Sequence, residues 1–137
     1  MRRVIVDTGP LVAVFNRRDQ HHAWAVDQSR TLASPLVTCE AVLTEAYHLL
    51  GRVPGARGAF ARWLGQGHVE TPLRLEEEAR AISASLRHYA DLPMDFADAC
   101  VVRLAERERL AVFTTDVRDF SVYRLGSGDP IPLIIPG

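Results

Sequence analysis

Four carboxylates occupy positions that a folded domain would ordinarily give to apolar or neutral side chains. Asp7 closes the apolar run Val4-Ile5-Val6, and Asp116 follows Leu110-Ala111-Val112-Phe113 after two threonines. Glu45 and Asp98 fall on the apolar sides of two predicted helices. At about 100° per residue, Glu45 shares an arc with Ala41, Val42 and Leu49, and Asp98 lies among Met94, Val101, Val102 and Ala105. A lone buried carboxylate is costly unless it takes up a proton. Asp7 alone could be a solvated strand end, Asp116 alone a helix cap, and Glu45 alone a snorkelling edge residue. The joint pattern is better explained by one shared cation. Only oxygen donors are offered, which suits Mg²⁺ or Mn²⁺ over Zn²⁺. Such a site activates water and neutralises charge at phosphorus, and phosphodiester hydrolysis uses both effects.

The remaining polar residues are weaker candidates. Asp95, three residues before Asp98, reads as an extra ligand or a helix cap. Asp119 reads as a cap or surface residue, and Glu40 as a first-turn charge that suits the helix dipole. Glu76-Glu77-Glu78 reads as a solvated helix start. Thr8, Thr114 and Thr115 carry hydroxyls that could orient ligands or water. Arg17, Arg18, Arg118 and Arg124 border strand-end loops, where they could meet phosphates or simply face solvent. Glu45-x-x-His48 has di-iron bundle spacing, but it occurs once in a chain with clear strand signals. His21 and His22 open a helix at positions expected to be exposed, and His68 and His88 have no ligand spacing. Trp24 and Trp63 read as packing residues, with Trp63 also a candidate for a partner surface.

The elements that must position these groups alternate. Strands are expected over 3–7, 36–38, 68–71, 111–115 and 131–135. Helices are expected over 10–15, 21–32, 39–50, 54–65, 74–90, 94–109 and 117–124. Pro132 cannot donate a ladder bond, so the last strand belongs at an edge. This order predicts an α/β fold, a three-layer α/β/α sandwich with a mostly parallel five-stranded sheet. Ligands of such sheets bind beyond the carboxyl ends of the strands. Asp7 and Asp116 stand at those ends, and Glu45 and Asp98 lie in early turns of helices that reach the same rim.

At 137 residues and 47% hydrophobic content, the sequence 1–137 reads as one globular domain. No apolar run approaches a membrane span, and the stretch after Arg2-Arg3 is too short for a signal peptide. Cys39 and Cys100 lack a CxxC partner and read as reduced core residues, so a cytoplasmic location is expected. All 16 basic residues are arginine, which excludes a Schiff-base or phosphate-loop lysine. Net charge is −1. With four acids neutralised by cations, the remaining surface would be mildly positive, so bulk charge does not argue against a nucleic-acid substrate.

Four blocks carry a resemblance. Val6-Asp7-Thr8-Gly9-Pro10-Leu11, Val42-Leu43-Thr44-Glu45-Ala46, Asp95-Phe96-Ala97-Asp98-Ala99 and Thr114-Thr115-Asp116-Val117-Arg118-Asp119-Phe120 resemble, in order and spacing, the PIN-domain ribonucleases. The nearest subgroup is the VapC-like toxins of bacterial toxin–antitoxin pairs. The resemblance covers essentially the whole chain. It implies a Mg²⁺- or Mn²⁺-dependent endoribonuclease, with catalytic metal-ligand roles for Asp7, Glu45, Asp98 and Asp116. Asp95 and Thr115 match supporting positions. It also implies an RNA substrate, a homodimer and a small antitoxin partner that covers the cleft. Housekeeping RNA processing is the alternative role within the family.

Competing classes fit less well. A haloacid-dehalogenase-like phosphatase needs a second aspartate two positions after the first, where this chain has Gly9. A receiver-like phospho-acceptor domain needs a late lysine. An inert PIN-like binding module should lack one or more of the four acids, and none is missing.

Overall fold

The computed structural model describes residues 1–137. Five two-residue strands, β1 (Ile5–Val6), β2 (Leu36–Val37), β3 (Val69–Glu70), β4 (Val112–Phe113) and β5 (Leu133–Ile134), form one sheet in the order β3-β2-β1-β4-β5. Every pairing is parallel, which sharpens the expected mostly parallel sheet. The seven helices are α1 (Thr8–Phe15), α2 (His22–Ser29), α3 (Glu40–Leu49), α4 (Ala56–Gly65), α5 (Leu75–His88), α6 (Phe96–Glu108) and α7 (Val117–Phe120). A 3-10 turn, Leu50–Arg52, joins α3 to α4.

The strands are shorter than the apolar runs suggest, but backbone bonding continues past them. Ile5 N–H donates to the Ala111 carbonyl and Asp7 N–H to the Phe113 carbonyl, both at 2.9 Å. Helix α1 starts two residues before its expected position. Pro10 sits in its first turn, where a backbone donor has no intrahelical partner to lose. Helix α7 stops at Phe120 rather than 124, and the Arg124 guanidinium collects the carbonyls of Ser121, Val122 and Tyr123. As expected, β5 is an edge strand; Pro132 contributes only its carbonyl, which accepts from Val112 N–H at 2.9 Å.

Val4, Ile5, Val6, Val37, Val112 and Phe113 are inaccessible and form the centre of the core. One sheet face, with Val6, Leu36 and Phe113, meets α1 and Trp63 of α4, and Trp24 of α2 lies against Phe113 with ring centroids 5.1 Å apart. Helix α6 packs against β1 with α5 beside it, and α3 touches both α1 and α6. That bridging place lets α3 present a side chain to the same rim as β1 and α6.

Several readings of polar residues change. Glu78 is not part of a solvated helix start. It is 5% exposed and accepts from Arg103 Nε at 2.5 Å and from an Arg107 guanidinium N–H at 2.7 Å, tying α5 to α6. His21 and His22 are half-buried rather than exposed. His22 Nδ1 is 2.6 Å from the Ala13 carbonyl, a contact that satisfies it when Nδ1 carries the proton. Trp63 is a packing residue, with its ring edge-on to Phe15 and stacked on His68. Both cysteines are buried and free.

Candidate active site

The sheet changes winding direction at β1, with β2 on one side and β4, the fourth strand of the chain, on the other. The crevice beyond the carboxyl ends of β1 and β4 is therefore a topological switch point. Asp7 leaves β1 there as the residue before α1, and Asp116 leaves β4 as the residue before α7.

Asp7 is held from two directions. Its backbone N–H is fixed by β4, and its Oδ2 accepts from Thr114 Oγ1 at 2.7 Å. Thr114 Oγ1 in turn accepts from Asp116 N–H at 2.9 Å. One buried hydroxyl thus spaces the two strand-end acids. Burial pushes the Asp7 carboxyl up to about 6; the Thr114 hydrogen bond opposes this, and the charges of Asp116 and Glu45 add to it.

Asp98 lies inside α6, flanked by the buried Ala97, Ala99, Val101 and Val102. Its Oδ2 accepts from the Tyr123 hydroxyl at 2.8 Å. Its carboxyl rises to about 7, chiefly by burial; the Tyr123 bond opposes the shift, while Asp95 and Asp7 raise it further. Glu45 sits at the margin of α3's buried face, which is built from Val42 and Ala46; Leu49, expected to share its arc, is exposed. Glu45 Oε2 accepts from Thr8 Oγ1 at 3.3 Å, and partial burial and the charge of Asp95 raise its carboxyl.

The four sequence-selected acids come together around Asp7 at this rim: the charges of Asp116 and Glu45 act on Asp7, and that of Asp7 acts on Asp98. The tightest set includes a fifth. Carboxylate oxygens of Asp98, Asp116 and Asp119 lie within 4.8 Å of one another. Asp119 also donates its backbone N–H to Asp116 Oδ1 at 3.1 Å, so Asp116 caps α7 while facing the cluster. The Asp119 carboxyl is raised by burial and by Asp116. Asp95 acts as a cap: it is exposed, and its Oδ1 accepts from Asp98 N–H at 2.8 Å. Thr115 packs its hydroxyl over Gly9, where an added Cβ would overlap Oγ1, and it is Thr114 that bonds Asp7.

Reasoning from the sequence misses Tyr123 and the close approach of Asp119. Asp119 has the pattern of an ordinary capping residue, and Tyr123 follows no helical period because α7 ends three residues earlier. The only available signal is a tyrosine in a segment adjoining a suspected acid site.

None of the chain's seven ion pairs involves any of these five acids. The charge of Arg118 reaches Asp119 without pairing with it, and a partly buried cluster made only of oxygen donors, none in an ion pair, fits a hard divalent cation and fits nothing softer.

Comparison with known proteins agrees with this geometry. A family profile described as PIN domain matches residues 4–125. Ribonuclease VapC26 of Mycobacterium tuberculosis is 32% identical over 133 residues, covering 91% of this chain and 96% of that protein. The crystal structure of M. tuberculosis VapC20, described as a sarcin–ricin loop cleaving toxin, superposes with a TM-score of 0.72 at 23% identity, over 84% of this chain and 91% of that one. A toxin–antitoxin complex from Klebsiella pneumoniae gives 0.66 at 15% identity, over 87% and 91%. The chain belongs to the PIN domain family, among its VapC-like members.

Proposed function

We propose that this chain is a Mg²⁺- or Mn²⁺-dependent endoribonuclease that hydrolyses RNA phosphodiester bonds, with residues 1–137 acting as one catalytic unit. The observation that carries this reading is the group of acids at the switch point, none of them in an ion pair. Asp7, Glu45, Asp98 and Asp116 would hold the ion, with Asp119 close by. A bound divalent ion supplies Lewis acidity and lowers the pKa of water. The protein's own part is positional. Thr114 fixes the Asp7 carboxylate, Tyr123 fixes Asp98 Oδ2, and Thr8 steadies Glu45. Water then attacks phosphorus in line with the leaving oxygen.

The biological role we assign is the toxin of a toxin–antitoxin pair in the cytoplasm. The supporting observations are the ribonuclease name of the 32%-identical relative and the fold shared with a chain of a toxin–antitoxin complex. A small antitoxin and a homodimer are the partners proposed. Exposed Tyr47 and Leu49 of α3 and Leu64 of α4 offer apolar area for such contacts. No helix is long and apolar enough to cross a membrane.

The test uses labelled structured RNA, with Mg²⁺, Mn²⁺ or EDTA, and Asp98→Asn beside the parent protein. Metal-dependent cleavage absent from the variant is expected. RNA bound but uncut under every metal would favour an inert binding module.

A further inference from the structure

Helix α1 is capped by Asp7 at one end and Asn16 at the other, so its eight residues put about 12 Å between the acid cluster and the helix exit. At that exit lies a groove of about 600 Å³, lined by Arg17 and Arg18 after α1 and by Arg52 from the turn after α3. No carboxylate lines it. All three arginines are exposed, and none is in an ion pair. The nearest acid in sequence, Asp19, is turned to α2, where its Oδ1 accepts from His21 N–H at 2.8 Å. In a chain of net charge −1, a concave surface with three free guanidiniums and no acid is a local departure from the average.

The groove has a built frame. Asn16 Oδ1 accepts from Arg18 N–H at 3.1 Å and shapes the α1 exit. Behind Arg52, the Arg57 guanidinium, which does not line the groove, donates to the Tyr47 carbonyl at 2.8 Å and the His48 carbonyl at 3.3 Å, and lies 4.5 Å from the Tyr47 ring centroid. Arg57 is thereby committed to closing the end of α3, and its side chain covers Gly51, where a Cβ would meet its Nη2 at 2.6 Å. Arg52 is left facing the groove. Phe15 and Val53 give it an apolar floor.

From this arrangement we infer that the groove binds the sugar–phosphate backbone of the RNA strand a few nucleotides from the scissile bond, with Arg17, Arg18 and Arg52 as phosphate contacts. The inference rests on the nuclease reading for its choice of RNA. Guanidinium forks match phosphate oxygens in pairs, and an apolar floor accommodates ribose or base faces. Helix α1 holds the groove about 12 Å from the acid cluster, a span that an extended strand of a few nucleotides exceeds. An acidic protein segment is the other polyanion such a groove could take; the link through α1 to the acids favours RNA.

The experiment measures binding of a fluorescent single-stranded RNA to the Asp98→Asn protein across a salt series. The comparison is with the same protein carrying Arg17→Gln, Arg18→Gln and Arg52→Gln. A control carries Arg80→Gln, Arg87→Gln and Arg109→Gln, which removes equal charge elsewhere. The groove variant should bind at least about tenfold more weakly near 0.1 M salt, and its log–log salt slope should fall by about 2. The control should stay within about twofold of the parent. Thermal melts should coincide for all three. Equal losses in groove and control variants, or no RNA binding by the parent at low salt, would overturn the inference. So would displacement of the RNA by a poly-glutamate peptide as effective, charge for charge, as unlabelled RNA. Cleavage by the wild-type acids with an unchanged groove variant would remove the groove and leave the nuclease; groove-dependent binding without cleavage under any metal would do the reverse.

Discussion

The Tyr123 hydroxyl donates a 2.8 Å hydrogen bond to Asp98 Oδ2, and both residues are buried. The bond joins a helix interior to the segment after α7, and it orients an acid that packing alone would leave free to rotate. Burial and the neighbouring carboxylate push the Tyr123 hydroxyl's own pKa up, so it stays a donor across the working range. Tyr123→Phe keeps the ring against Phe120 and Tyr89 and removes only the donor. We expect about 1 kcal/mol lower stability. Metal affinity, read by Mn²⁺ titration, should weaken about tenfold, as is usual when a partner of a ligand is lost. An unchanged Mn²⁺ isotherm would rule out an orienting role for Tyr123.

Protonation and metal should compete. In metal-free protein, the raised Asp7 and Asp98 carboxyls bind protons more tightly folded than unfolded. Their contribution is therefore full below about pH 4 and is lost as pH rises through about 6 and 7. For Asp7, the shift from 3.8 to about 6 corresponds to about 3 kcal/mol. With EDTA, melting temperature relative to an Asp7→Asn/Asp98→Asn variant should decline between about pH 5 and 8. Added Mn²⁺ should raise it more at about pH 8 than at about pH 5.5. A Mn²⁺ effect independent of pH would contradict the acid cluster as the binding locus.

Asp7→Asn removes a charge that burial disfavours while keeping a partner for Thr114. Cleavage should drop at least about 100-fold, and the metal-free melting temperature at about pH 8 should rise. Full activity in this variant would discard the site.

The approach of Thr115 to Gly9 leaves no room for a methyl group. Gly9→Ala should push α1 away from the loop after β4, costing about 1–3 kcal/mol and separating Asp7 from Asp116. Thr115→Ala removes the obstructing oxygen, and in combination it should recover much of both stability and cleavage. A double-mutant cycle on urea unfolding and cleavage rate measures that coupling. Strictly additive losses would mean the two positions do not meet.

Glu78→Ala should cost about 2 kcal/mol, because its charge-assisted bonds to Arg103 and Arg107 are lost while Arg103 keeps Glu106. Glu76→Ala, in the exposed part of the same run, should be close to neutral. Urea midpoints give both values, and cleavage per folded molecule should match wild type for each.

How far the sequence discloses the site depends on what surrounds each acid. Asp7 and Asp98 are legible because apolar neighbours flank them, and a charge among such neighbours stands out in any periodic reading. Glu45 is legible only in part. Its arc looks closed by Leu49, yet that leucine faces solvent, and the true buried face is Val42 and Ala46. Glu78 escapes because a run of three glutamates looks solvated, and only the packing of α5 on α6 reveals which one points inward. Asp119 and Tyr123 belong to and follow a helix of one turn, too short to show a period. The alternation of strands and helices discloses the sandwich. The placement of β1 between β2 and β4 rests on pairing between residues far apart in the chain, which no local pattern contains.

That distance has a temporal meaning. Thr114 and Asp7, joined by a hydrogen bond, are 107 residues apart. Asp7 is synthesised first and waits for 107 further residues before its partner exists. Any chain interrupted before β4 holds Asp7, Glu45 and even Asp98 without the strand that gathers them.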